Sequence, residues 1–182
     1  KTEAGRKIRK AFVADKGYVL LALDYSQIEL RVAAILSEDK DLIKIFKDGD
    51  DVHAAVASRV FGVKEEDVTK EMRRQAKVIN FGIIYGMGIN ALKDNLGGTR
   101  AEAEEFYNQY FKKFPGVAEY LDSIKREVAK LGYTSTLFGR RRYFPAIKYP
   151  IQYIRAAAER MAVNAPIQGT AADIIKIAIK RA

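Results

Sequence analysis

Residues 73–86 read RRQAKVINFGIIYG, and the organisation of the chain follows from how this stretch is wound. On a helix, Arg73, Lys77, Phe81 and Tyr85 stand four residues apart and form one slowly drifting stripe, at about 100° per residue. Two cations followed by two rings make a ladder: the cations suit phosphates, and the rings suit a sugar and a base. The other side carries Ala76, Ile79 and Ile83, an apolar surface for packing on a core. Thr69 can cap this helix and Glu71 favours its first turn, which predicts a helix from about Lys70 to about Tyr85. Gly82 inside it costs about 1 kcal/mol relative to Ala and marks a close approach by another group. The plainer reading of the stripe is an amphipathic surface helix with solvated cations.

Working outward, helix signals dominate. Ile28–Leu36 is helical, with Ile28, Val32, Ile35 and Leu36 on one face. Further helices are predicted at Leu42–Phe46, at Val52–Phe61 before Gly62, and at Arg100–Phe114, capped by Thr99 and stopped by Pro115. Val117–Leu131 closes at Gly132. Tyr133–Tyr143 turns at Phe138-Gly139-Arg140 as a β-hairpin. Ile154–Ala165 and Ala171–Ala182 are two helices, separated by a break at Pro166 and Gly169. Tyr18–Asp24 (YVLLALD) is a short apolar run after Gly17 and predicts a buried strand. Gly86-Met87-Gly88 lacks the strand and lysine of a phosphate-binding loop.

Two more stretches can carry chemistry. Asp24 ends the predicted strand, where a carboxylate can hold a hard cation beside waters and phosphates, or can simply cap the helix that follows. Glu29 would lie on the exposed side of that helix, solvated or paired with Arg31. Arg155, Arg160, Asn164 and Gln168 follow one another along the C-terminal helical region. Arg, Asn and Gln can donate to minor-groove acceptors, which every base pair presents. Ordinary capping and turn chemistry around Pro166 and Gly169 is the plainer reading of these residues alone. Arg140-Arg141-Arg142 beside the hairpin tip is either a phosphate patch or a solvated turn. His53, after Asp50-Asp51, can meet a phosphate or cap a helix.

Composition narrows the classes. The 182 residues include 32 Lys and Arg against 23 Asp and Glu, a net charge of +9, with 48% hydrophobic residues. This is a globular composition, and its charge suits a polyanionic partner. The charge is uneven, +2 over residues 1–91 and +7 over residues 92–182. The absence of cysteine excludes a disulfide framework, a thiolate nucleophile and a cysteine zinc site. A single histidine excludes a histidine metal cluster. No apolar run reaches the ~20 residues of a membrane span, and the basic start is no signal peptide. The chain opens on Lys1 and stops inside an apolar-periodic run, so it is expected to be a segment of a longer protein.

The motifs together resemble a known family. DYSQIELR at 24–31 resembles motif A of family A DNA polymerases, the bacterial DNA polymerase I type. RRQAKVINFGIIYG at 73–86 resembles their motif B, and NAPIQGTAADIIK at 164–176 their palm helix before motif C. The flanks GRKIRKAF (5–12), DVHAAVASRVFGV (51–63) and TLFGRRRYFPAI (136–147) agree. The resemblance implies a helix-rich α+β fold, a right-hand polymerase fragment with part of the antiparallel palm sheet and a helical fingers subdomain. Palm would cover residues 1–36 and 151–182, and fingers residues 37–150. It implies template-directed DNA synthesis with Mg²⁺ in a two-metal site, on a DNA primer–template with deoxynucleoside triphosphates. Asp24 would be a metal-binding carboxylate, with the Tyr25 carbonyl nearby. Glu29 would be the gate against ribonucleotides. Arg73 and Lys77 would hold the triphosphate, with Lys77 as proton donor to the leaving pyrophosphate. Gln27 and His53 would sit near the phosphates, Phe81 on the sugar and Tyr85 near the template base, supporting the gate. Arg160, Asn164 and Gln168, with Arg155, would contact DNA.

Motif C, with the second metal-binding Asp, and the thumb are expected in the rest of the polymerase chain, so this segment is expected to be inactive alone. A cytoplasmic setting, in a bacterium or a phage-infected cell, is implied. Three alternatives stay open: a non-catalytic basic nucleic-acid-binding module, a single-subunit RNA polymerase, and a purely structural role. Glu29 in an intact DYSQIELR argues against the second.

Overall fold

The computed structural model describes residues 2–181. It contains nine α-helices and one two-stranded sheet among those residues: α1 (Glu3–Lys10), α2 (Ile28–Ser37), α3 (Lys40–Asp48), α4 (Val52–Phe61), α5 (Lys70–Ile84), α6 (Ile89–Leu96), α7 (Arg100–Lys113), α8 (Pro115–Leu131), β1 (Tyr133–Ser135), β2 (Arg141–Tyr143) and α9 (Gln152–Arg181). The strands pair antiparallel, with Tyr133 opposite Tyr143 and Ser135 opposite Arg141. No described helix is long and apolar enough to cross a membrane.

Local chemistry sets most boundaries. Thr69 accepts a hydrogen bond from the Met72 amide and starts α5, satisfying a donor that the helix itself cannot pair. Thr99 and Glu102 form a reciprocal capping box at the start of α7. Gly62 and Gly132, both in the left-handed region, close α4 and α8. Pro115 opens α8 as its first residue, where its missing N–H costs nothing. It thus begins the following helix as well as stopping the one before.

The main core gathers Leu30, Val32 and Ala34 of α2, Ile45 of α3, Val56 of α4, Ala76, Ile79 and Ile83 of α5, and Tyr110 and Phe114 at the end of α7. A second, smaller core joins Val128, Phe144, Ile147, Ala158, Ala162 and Ala165 beneath the hairpin.

Two expectations are corrected. Residues 18–24 form no strand, and Tyr18, Val19, Leu20, Leu21 and Leu23 are all at least 66% exposed. A strand needs a neighbour to take its alternate N–H and C=O groups, and among the described residues no extended segment pairs with it. The C-terminal region is also one continuous helix, not two, with Pro166 inside it. An interior proline costs about 3 kcal/mol. Ala162, Val163, Ala165, Ile167, Thr170 and Ala171 are buried on either side of it, and this burial outweighs the local break signal. Sequence reading also passed over α1 and α6.

Candidate nucleotide and nucleic-acid interface

The stripe on α5 is present, and three of its four rungs, Arg73, Phe81 and Tyr85, have a distinct partner. Arg73 donates to Asp51 Oδ2 through Nη2 at 2.7 Å and Nε at 3.2 Å. Asp51 is the N-cap of α4, where its Oδ1 accepts from the His53 and Ala54 amides. One carboxylate therefore starts a helix and orients a guanidinium. Burial pushes Asp51 up, but the Arg73 bond and the two amides outweigh it, and its carboxyl is held below the usual range. Lys77 is exposed and makes no ion pair among the described residues.

Phe81 is half-buried, its ring centroid 5.8 Å from that of His53. His53 is itself buried between α4 and α5, with Nδ1 3.1 Å from Asn80 Nδ2. An amide nitrogen only donates, so Nδ1 accepts and Nε2 carries the ring proton. Burial pushes the imidazole below its ordinary value; Asp51 pulls the other way, while Arg73 and Lys77 add to the depression.

Tyr85 caps the end of α5, and its hydroxyl donates to Glu29 Oε2 at 3.0 Å. Burial raises the phenol, the Glu29 bond raises it further, and the nearby Gln168 side chain opposes both. Glu29 is half-buried in the first turn of α2. Its partner is Tyr85. Arg31 instead donates to the Ser26 carbonyl at 2.9 Å and lies over the Phe46 ring. The chain enters α2 through Gln27, whose φ of +47° lies in the left-handed region, and Gln27 accepts a hydrogen bond from the Ser26 hydroxyl. Asp24 and Tyr25 precede this turn and are exposed.

The far wall is α9. Gly86 packs on it so closely that a Cβ there would stand 3.1–3.2 Å from the Cγ, Cα and Cβ of Arg160. Asn164 is half-buried, its Oδ1 without a hydrogen-bond partner among the described residues, and Gln168 is exposed. Arg155 is exposed and donates to the Tyr149 carbonyl at 3.3 Å. The close approach signalled by Gly82 comes from within the chain: a Cβ there would meet Met87 Sδ at 3.0 Å.

Arg140 is not a free phosphate ligand, because Nε donates to Asp173 Oδ1 at 2.9 Å and Nη2 to the Gly169 carbonyl at 3.0 Å. Thr136 donates to the other Asp173 oxygen at 2.8 Å. This clasp fixes the hairpin tip one residue beyond Gln168, and sequence reading missed it, along with Asp51 and Asn80. Partners more than twenty residues apart leave no local signal.

The profile of DNA polymerase family A matches residues 1–182. The chain is 49% identical to the thermostable DNA polymerase I of Thermus aquaticus over 98% of its own length and 22% of that protein's. It is 53% identical to DNA polymerase I of Geobacillus stearothermophilus over 97% of its length and 20% of the relative's. The chain thus spans about a fifth of the curated relatives it matches. Among solved structures it is similar to the POL domain of Pol1 from M. smegmatis in complex with DNA primer-template and dNTP. The TM-score is 0.89 and the identity 48%, covering 98% of this chain and 32% of that one.

Proposed function

The chain belongs to DNA polymerase family A, and from that premise we propose that it forms the nucleotide-handling face of a template-directed DNA polymerase. In this reading residues 1–36 and 151–182 are palm and residues 37–150 are fingers. The observation that carries it is the Tyr85 hydroxyl, which donates to Glu29 of α2 at 3.0 Å while the next residue, Gly86, packs on Arg160 of α9. Three stretches distant in sequence converge at the end of the cation–aromatic stripe. The exposed apolar run 18–23 supports the palm reading, because it suits a strand whose neighbours belong to other parts of a polymerase.

The reaction is attack of a primer 3′-hydroxyl on the α-phosphate of a deoxynucleoside triphosphate, with pyrophosphate leaving. Arg73, oriented by Asp51, and the exposed Lys77 bind the triphosphate, and Lys77 supplies a proton to the leaving pyrophosphate. Gln27 and His53 stand near the phosphates. Phe81, backed by the His53 ring, packs on the sugar. Glu29 crowds the 2′ position, and Tyr85 holds it there. Arg160, Asn164 and Gln168 donate to minor-groove acceptors, which test pair geometry with little regard to sequence, and Arg155 adds a backbone contact.

Asp24 and the Tyr25 carbonyl are hard oxygen donors of the kind Mg²⁺ takes. Among the described residues no group of three acidic or histidine side chains could hold an ion, so Asp24 needs a second carboxylate from another part of a polymerase. Magnesium, when bound, would stabilise charge on the attacking and leaving oxygens.

Asp24→Asn in a complete polymerase carrying this segment tests the reading. Lost primer extension with duplex affinity retained is expected. Retained extension overturns the role of Asp24, and a parent frame with DNA binding but no extension favours a non-catalytic binding module.

A further inference from the structure

Residues 128–158 carry six basic side chains and no acidic one. Three of these, Arg141, Lys148 and Arg155, lie on the unit formed by β2, the turn at Pro145–Lys148 and the start of α9, and are exposed, whereas Arg142 points to the other face of β2, beside Gln168 and Gly169. None makes an ion pair among the described residues. In the same unit, Phe144 and Ile147 are buried in the second core, whereas Tyr143, Tyr149 and Tyr153 are 64%, 51% and 74% exposed. Arg155 donates to the Tyr149 carbonyl at 3.3 Å, which brings a guanidinium beside that ring's backbone, two residues from Tyr153.

Uncompensated cations interleaved with exposed phenols match one ligand chemistry. The cations need a phosphate backbone, and the rings need flat apolar faces to stack on. A duplex offers the first but hides the second inside its base stack; an unpaired strand offers both. We propose that the outer surface of residues 141–155 binds an unpaired DNA strand, with Tyr149 and Tyr153 stacking on bases and Arg141, Lys148 and Arg155 tracking its phosphates. The assignment of the strand as DNA rests on the polymerase reading above; the stacking surface itself does not.

The proposal is read by fluorescence anisotropy of the chain with a labelled oligothymidylate and, separately, a blunt duplex. Affinity for the single strand should fall with salt at a log–log slope of about −2, as three phosphate contacts require. The Tyr149→Ala/Tyr153→Ala double variant should bind the oligothymidylate at least about tenfold more weakly while its duplex affinity is unchanged. Unchanged single-strand affinity in that variant overturns the proposal, as does equal loss for strand and duplex. A single-strand preference for oligouridylate over oligothymidylate overturns its assignment to DNA. Both tyrosines are exposed, so circular dichroism of the variant should match the parent. Failure of the polymerase reading shows elsewhere, as retained extension in Asp24→Asn, and leaves these affinities untouched.

Discussion

The hydroxyl of Tyr85 and the carboxylate of Glu29, fifty-six residues apart in sequence, are joined by a 3.0 Å hydrogen bond. The bond sets the position of the acidic group that faces the nucleotide in the proposed reaction. If Glu29 excludes the 2′-hydroxyl, Glu29→Ala in a complete polymerase frame should raise ribonucleotide incorporation strongly. Tyr85→Phe should raise it less, by about five- to tenfold, because it frees the carboxylate without removing it and forfeits a charge-assisted bond worth about 1–1.5 kcal/mol at a part-exposed site. The ratio of kcat/KM for ribo- and deoxynucleotide measures both. Unchanged ratios would remove the gate assignment.

Asp39 is buried and serves two helices. Its Oδ1 accepts from the Leu42 amide at the start of α3, and its Oδ2 accepts from the Gly116 amide at the start of α8. Asp39→Ala should cost about 2–3 kcal/mol, a lost cap plus a second orphaned donor. Gly116→Ala should also destabilise, since its Cβ would stand 2.9 Å from Asp39 Cα and the Ser37 carbonyl oxygen, both backbone atoms. Urea midpoints at constant m-value report each.

Two helical glycines should respond differently to alanine. At Gly82 the obstacle is the flexible side chain of Met87, 3.0 Å away at Sδ; a small shift of the thioether offsets much of the ~1 kcal/mol helix-propensity gain, leaving stability nearly unchanged. At Gly169 a Cβ would stand 2.5 Å from Thr136 Cγ2 and 3.2 Å from Arg140 Nη2. Alanine there pushes the hairpin from α9 and should cost about 1–3 kcal/mol. A thermal melt that ranks the two variants the other way would reject this account of the hairpin clasp.

The pH dependence of stability should carry the mark of His53. Its imidazole sits below the ordinary 6.5, chiefly through burial. The unfolded chain then takes a proton before the folded one does, so stability is complete above about 6.5 and is lost as pH falls from there towards the folded value. His53→Gln should flatten that fall. Asp51, depressed below 3.8, adds its own loss only at lower pH, where Asp51→Asn should flatten the curve instead. Denaturant midpoints from about pH 7 to about pH 3 separate the two.

The helices were legible because their signals are local. Thr69, Thr99, Gly62 and Gly132 mark ends through hydrogen bonds to residues three or four away, and the apolar face of α5 repeats with the helical period; on α2 the expected face is buried only in part, since Ile35 is 58% exposed while Leu30, Ala33 and Ala34 are buried. The stripe Arg73, Lys77, Phe81, Tyr85 followed from the same geometry. Local reading failed where neighbours from afar decide. It placed a strand at residues 18–24, where no described partner exists, and broke α9 at Pro166, where buried flanking residues hold the helix through. The sequence by itself determined which side chains carry charge, rings and carboxylates, and which share a helix face. Only the tertiary structure decided their partners: Asp51 for Arg73, Asn80 for His53, Glu29 for Tyr85, Asp173 for Arg140. The physical reason is range: a helix face is fixed by 3.6 residues per turn, whereas a side-chain hydrogen bond needs two groups brought within about 3 Å by the packing of the whole chain.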